Sequence, residues 1–159
     1  MKPLSISLLL LFSAPVLGQT FTVTQIDSIV HRIDSTKGLR NAVVDGYLKR
    51  KGNKKLKGGF SDTFWLTPTD NHLVKVERGE ALNHYAVRAY YFYNDTLIFV
   101  KTSIYESQLA RNRISEGEYY FYADVLLKKR EKGEQAIKSE VFIKQSQEYL
   151  VDAKSIFNL

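Results

Sequence analysis

The sequence predicts an α+β protein: an antiparallel β-meander of about six strands, with an N-terminal and a C-terminal helix packed on the sheet. Apolar residues recur at helical spacing in residues 26–33. Aromatic and β-branched residues then dominate residues 42–130, with turn residues at short intervals. A segment without Gly or Pro follows Gly133. Helices at both ends of a meander imply that they cover the sheet.

Residues 1–18 are predicted to be a cleavable signal peptide. One cation, Lys2, precedes an uncharged apolar run from Leu4 to Phe12, and cleavage fits best between Gly18 and Gln19. The run is shorter than the roughly 20 residues that a bilayer-spanning helix needs. We therefore expect a periplasmic or secreted protein, with residues 19–159 forming a single α+β domain and no transmembrane segment in the mature chain.

The chain contains no cysteine. Disulfides, thiol nucleophiles and a lipid anchor on cysteine are therefore excluded. A small exported domain without disulfides is typical of a bacterial envelope.

The first helix is predicted from one apolar face. Thr24 is the expected N-cap, Asp27 is placed to complete a capping box, and Gly38 is the expected stop signal. The apolar face is formed by Ile26, Ile29, Val30 and Ile33.

The strands are expected at about 42–50, 60–67, 72–78, 85–94, 96–106 and 117–130, the last containing a tight turn that makes it one strand or two. A second helix is expected over 135–153, where Phe142, Tyr149 and Ala153 share a face. Residues 141–143 also fit a short strand, and this alternative stays open.

A short repeat indicates two hairpins of one sheet. Residues 90–98 and 119–127 each contain an aromatic strand, a turn at Asp95 or Asp124, and an aliphatic return. This pattern resembles the hairpins of small secreted proteins of Bacteroidota, which are largely uncharacterised. The resemblance implies an envelope or secreted protein and brings no catalytic residues with it. The chain departs from the pattern at Ala123, where such hairpins more often have Asn or Asp.

No catalytic constellation is visible in the sequence. The serines lie outside Gly-x-Ser-x-Gly and Ser-x-x-Lys arrangements, and the glycines form no phosphate-binding loop. We therefore expect a protein that is not an enzyme and has no cofactor or metal. The alternative is a metal site formed by His72 and His84, with Glu77 or Glu80, if the two histidines meet across a strand pair.

The tyrosine-rich strands suggest a binding face. Both faces of the strand at 85–93 are apolar, which is unusual for a sheet that has one side in water. Either the helices cover one face and a ligand or partner covers the other, or a curved sheet encloses a pocket. We expect a binding module for a protein, peptide or small apolar ligand. Its expected contact residues are Tyr91, Tyr93, Tyr120 and Tyr122. The alternative is that these tyrosines pack internally, with their hydroxyls reaching water.

A basic segment suggests a second function. The net charge is +6, and six cations without an acid lie within residues 49–57, so the rest of the chain is nearly neutral. These cations are Lys49, Arg50, Lys51, Lys54, Lys55 and Lys57. Such a cluster at a hairpin tip would bind a polyanion, such as an acidic glycan, lipopolysaccharide or nucleic acid. The simpler interpretation is a solvated loop that aids solubility.

Overall fold

A computed structural model of the chain describes residues 21–49, 56–109, 112–133 and 137–159. The elements are α1 (Val23–Ser35), β1 (Arg40–Lys49), β2 (Leu56–Leu66), β3 (Leu73–Ala81), β4 (Tyr85–Tyr93), β5 (Thr96–Tyr105), β6 (Arg113–Tyr122), β7 (Val125–Lys132) and α2 (Ser139–Phe157). The predicted signal peptide and its cleavage site lie outside the described residues. Neither described helix combines the length and apolar character of a membrane-crossing segment.

The sheet contains seven strands in the order of the sequence, and each strand is antiparallel to the next. The antiparallel α+β meander with a helix at each end is therefore confirmed. The expected number of about six strands is corrected to seven, because the chain reverses at Ala123 and Asp124 and divides the last segment into β6 and β7.

The two helices pack on opposite faces of the sheet. Ile26, Ile29 and Ile33 of α1 form a cluster that includes Tyr91 and Tyr120. The cluster on the α2 side instead includes the neighbouring residues Tyr90 and Tyr119, together with Phe142, Tyr149 and Ala153 of α2. Successive strand residues point to opposite faces. Each face of the sheet is apolar because a helix covers it. The two sequence-based alternatives were helices on one face only, or a curved sheet around a pocket.

The N-terminus of α1 begins two residues earlier than expected. Thr22, not Thr24, is the N-cap, and it forms a capping box with Gln25. The Thr22 backbone N–H donates to Gln25 Oε1 at 2.8 Å, and the Gln25 N–H donates to Thr22 Oγ1 at 3.3 Å. Thr24 already lies in the first turn, where its carbonyl accepts from Ser28. The prediction that Thr24 is the N-cap and Asp27 its capping-box partner was wrong. Thr22 forms the box with Gln25, because a Gln side chain can take the place of an acidic one in this motif.

The repeated hairpins have the same geometry. Asn94 and Asp95 have φ angles of 49° and 54°, and Ala123 and Asp124 have φ angles of 47° and 60°. Two successive residues with positive φ form the type I′ turn, whose twist matches that of a hairpin. A register shift also follows the same aromatic position in each hairpin, between Tyr91 and Phe92 and between Tyr120 and Phe121. The two hairpins therefore share the position of this register shift as well as the turn type.

The second helix begins four residues later than expected and includes residues 141–143. The alternative of a strand at these residues is wrong, since Phe142 is fully buried within the α2-side cluster. The helix ends at Asn158, which has a φ of 53° and caps it in the left-handed conformation.

Candidate functional site

Two of the four predicted contact tyrosines lie beneath α1. Tyr91 and Tyr120 are only 4% and 1% exposed. The Tyr91 hydroxyl donates to the Asp34 carboxylate at 3.1 and 3.0 Å. The Tyr120 hydroxyl donates to Asp27 Oδ1 at 3.0 Å. Both acids belong to α1, so these tyrosines bind the protein's own helix.

The other two tyrosines end their strands beside Phe21, which precedes α1. The rings of Tyr93 and Tyr122 pack edge-on against the Phe21 ring, with centroid distances of 5.4 and 6.0 Å. Tyr93 is 38% exposed. Tyr93 also borders a cavity.

That cavity, which we name the α1 cleft, lies between α1 and the strand ends nearest the β4–β5 turn. Its volume is about 240 Å³. Its apolar lining comes from Ile29, Ile33, Leu39, Leu73, Val74, Phe92 and Tyr93. An apolar concavity with few polar groups is the usual form of a small-ligand site. The sequence did not indicate it, because Leu39 lies between predicted elements and the other lining residues come from segments that are distant in the chain.

Charged side chains of both signs lie around the α1 cleft. Arg32 of α1 and the segment that contains Asp70 and His72 contribute to its wall. His72 lies between two acids: its Nε2 is 3.8 Å from Asp70 and its Nδ1 is 3.5 Å from Asp95. The hydroxyl of Thr67 donates to Asp70 and holds the pKa of that carboxyl below its usual value. The cleft therefore offers an apolar interior together with polar groups that can orient a ligand.

The proposed pair of histidines does not form. His72 precedes β3 and His84 follows it, so the nine residues of β3 separate them by roughly 30 Å of extended chain. His84 instead lies 3.4 Å from the carbonyl oxygen of Glu106. Within the described ranges, no three His, Asp or Glu side chains converge as metal ligands would. The alternative of a metal site at His72 and His84 is therefore wrong.

An ionic cluster beside α2 was not apparent in the sequence. Asp62 is 5% exposed; it accepts from Arg78 at 2.9 Å and from the hydroxyl of Tyr149 at 3.2 Å. Glu80 accepts from Arg88 at 2.9 Å. Burial raises the pKa of Asp62, while the positive charge of Arg78 opposes this shift. The two acids and two arginines form ion pairs within the sheet, and the bond from Tyr149 to Asp62 connects this cluster to α2. Only the strand register brings these residues together.

Most of the predicted basic segment lies outside the described residues. These are Arg50, Lys51, Lys54 and Lys55, and the side chains of Lys49 and Lys57 are not described either. Lys49 is the last residue of β1 and Lys57 the second residue of β2, and the strands on which they lie are antiparallel neighbours. The segment therefore connects the two strands of one hairpin.

No protein-family model, curated protein or solved structure matches this chain.

Proposed function

We propose that the protein is an exported, non-enzymatic binding module whose ligand places an apolar group in the α1 cleft. The observation that carries this proposal is a concave, mostly apolar cavity of about 240 Å³ at the edge of a helix. Cavities of this kind are the default location for ligands in proteins. Tyr93, one of the four tyrosines predicted to contact a ligand, lies at the border of this cleft.

The size and lining of the α1 cleft limit the ligand. An apolar cavity of about 150 Å³ is enough to hold benzene. The α1 cleft therefore has room for one aromatic or branched aliphatic group, as found in a small molecule or a peptide side chain. Arg32, Asp70 and His72 are placed to contact a polar part attached to that group.

The test is a titration with phenol and with isobutanol, followed by amide shifts in nuclear magnetic resonance spectra. We expect shifts concentrated at Ile33, Leu39, Val74 and Tyr93. Leu39→Arg places a charge in the cleft and should abolish them. Leu127→Arg is the matched control, because Leu127 is 44% exposed on β7 and does not line the cleft. Equal binding by both variants would refute the proposal.

A second candidate is polyanion binding through residues 49–57. It is supported by the six cations of this segment, which joins two antiparallel strands that are neighbours in the sequence. Changing Lys51, Lys54 and Lys55 to Gln should lower the salt concentration that elutes the protein from heparin. Changing Lys128, Lys129 and Lys132 to Gln removes the same charge from β7 and should have a smaller effect. Equal effects of the two triple variants would show that heparin binding depends on the net charge of the protein and not on residues 49–57.

Export is proposed on the N-terminal sequence and on the resemblance to small secreted proteins of Bacteroidota. We expect the exported chain to begin at Gln19. The intact mass of protein recovered from the periplasm or medium would establish this. A mass that includes residues 1–18 would contradict cleavage.

A further inference from the structure

The two edges of the sheet differ in how well they are protected. β1 and β7 are the outermost strands, and within the part of the chain that the structure describes each pairs with one neighbour. An edge strand presents backbone donors and acceptors to which another strand can bind. Proteins usually protect such edges with charged side chains, Lys above all.

β7 has this protection. Four of its eight residues are exposed cations, at Lys128, Lys129, Arg130 and Lys132. Their charge and long side chains oppose pairing with a further strand.

β1 lacks it. Between Asn41 and Leu48 the only charged residue is Asp45. Val43, Val44 and Tyr47 are 58%, 37% and 77% exposed. Because successive strand residues alternate, Val43 and Tyr47 lie on one face and Val44 on the other. A strand added at this edge would find an apolar contact on each face.

The charges at the two ends of β1 define the partner. Lys37 and Arg40 lie at one end, and Lys49 is the last residue of the strand. A second copy of β1 in antiparallel register would place Lys49 of one strand opposite Arg40 of the other, which like charges oppose. An extended segment with acidic residues at its ends would meet favourable charges at both.

We propose that the β1 edge binds an extended, acidic-ended segment of a partner protein as an additional strand. Main-chain hydrogen bonds would supply the affinity, and the exposed apolar residues together with the flanking cations would supply the selectivity. This surface is separate from the α1 cleft, and the proposal does not depend on a ligand there.

The single tryptophan provides a reporter. Trp65 lies on β2, is partly exposed, and pairs with Asn41 of β1. The probe is a synthetic peptide of the length of β1, with alternating Val and Thr between pairs of Asp. We expect a saturable change in Trp65 fluorescence. The same peptide with Lys in place of Asp should bind at least about tenfold more weakly, a difference of about 1.4 kcal/mol.

Two controls separate strand pairing from simple charge attraction. The acidic peptide with N-methylated amides on one edge and the same peptide methylated on the other keep all charges, and one of the pair should lose binding. Val44→Lys should weaken binding of the unmodified peptide, while Leu127→Lys on the protected β7 edge should not. Melting curves of both variants verify that they fold.

Three results would overturn the proposal. The first is peptide binding that is unaffected by methylation on either edge. The second is equal weakening of binding by Val44→Lys and Leu127→Lys. The third is concentration-dependent dimerisation in sedimentation that Val44→Lys abolishes. The last would assign the β1 edge to a second copy of the chain.

Discussion

The phenol hydroxyl of Tyr91 in β4 donates to both carboxylate oxygens of Asp34 in α1, at 3.1 and 3.0 Å. Three further hydrogen bonds between the sheet and the helices also involve a tyrosine hydroxyl. Tyr120 bonds Asp27 of α1 at 3.0 Å, and on the opposite face Tyr90 bonds Gln145 at 3.2 Å. Tyr149 of α2 bonds Asp62 at 3.2 Å. Four of the ten tyrosines thus have a structural role: each of these rings packs in a core while its hydroxyl bonds a polar group of the neighbouring layer.

These bonds predict the effect of removing single hydroxyls. Tyr91→Phe and Tyr120→Phe keep the buried ring and remove a bond to a charged group, and each should lower the free energy of unfolding by about 1–2 kcal/mol. Tyr93→Phe is the control, since this side chain is 38% exposed, and it should change stability by less than about 0.5 kcal/mol. Urea unfolding measures all three. Equal losses in all three variants would show that the bonds to α1 are not the cause.

The same tyrosines predict a loss of stability in alkali. Burial raises the pKa of Tyr91 to about 12, with Lys75 opposing the shift and Asp34 adding to it. Burial also raises the pKa of Tyr90, Tyr119, Tyr120 and Tyr149. A folded-state pKa above the unfolded value of about 10 means that the native state holds the proton more tightly. The stabilisation is complete below about pH 10 and is lost as the pH rises towards the folded-state pKa.

We therefore expect the free energy of unfolding to fall with pH above about 10. The part of the tyrosinate absorbance that comes from the buried tyrosines should appear only with the loss of helical circular dichroism. Tyr91→Phe should make the decline less steep. Tyrosinate absorbance that reached its final value while the protein stayed folded would contradict the burial of these phenols.

Docking of α1 predicts the effect of a charge in its apolar face. Ile29 is 8% exposed and packs in the α1-side cluster. Ile29→Asp leaves an unpaired charge there and should cost about 3 kcal/mol or more. Ser28→Asp introduces the same residue on the exposed side of α1 and should be nearly neutral. Thermal unfolding distinguishes the two, and matching melting temperatures would mean that α1 is not docked.

The paired hairpins predict opposite effects at equivalent turn positions. Ala123 has a φ of 47°, a conformation that disfavours Ala and suits Asn, and the first turn has Asn94 at the same position with a φ of 49°. Ala123→Asn should raise the free energy of unfolding by about 0.5–1 kcal/mol, and Asn94→Ala should lower it by a similar amount. Changes of the same sign would contradict a shared turn type.

The sequence by itself was sufficient for features that depend on neighbouring residues. The turns at Asp95 and Asp124 follow from the local need for positive φ, and the apolar face of α1 follows from residues spaced three or four apart over about two turns of helix. The exact start of α1 was missed, because Thr22 and Thr24 both have a side chain that can cap a helix and the difference depends on the position of Gln25.

Only the tertiary structure decided what each face of the sheet contacts. Alternation along β4 places Tyr90 and Tyr91 on opposite sides, but it carries no information about which helix covers which side. The α1 cleft likewise combines Leu39, Leu73 and Tyr93 from separate elements, and the Asp62 cluster depends on the register of β2, β3 and β4. These contacts join residues far apart in the chain. Their partners are set by packing of the whole domain, because local preferences act over a few residues while burial of a core acts on all of them at once.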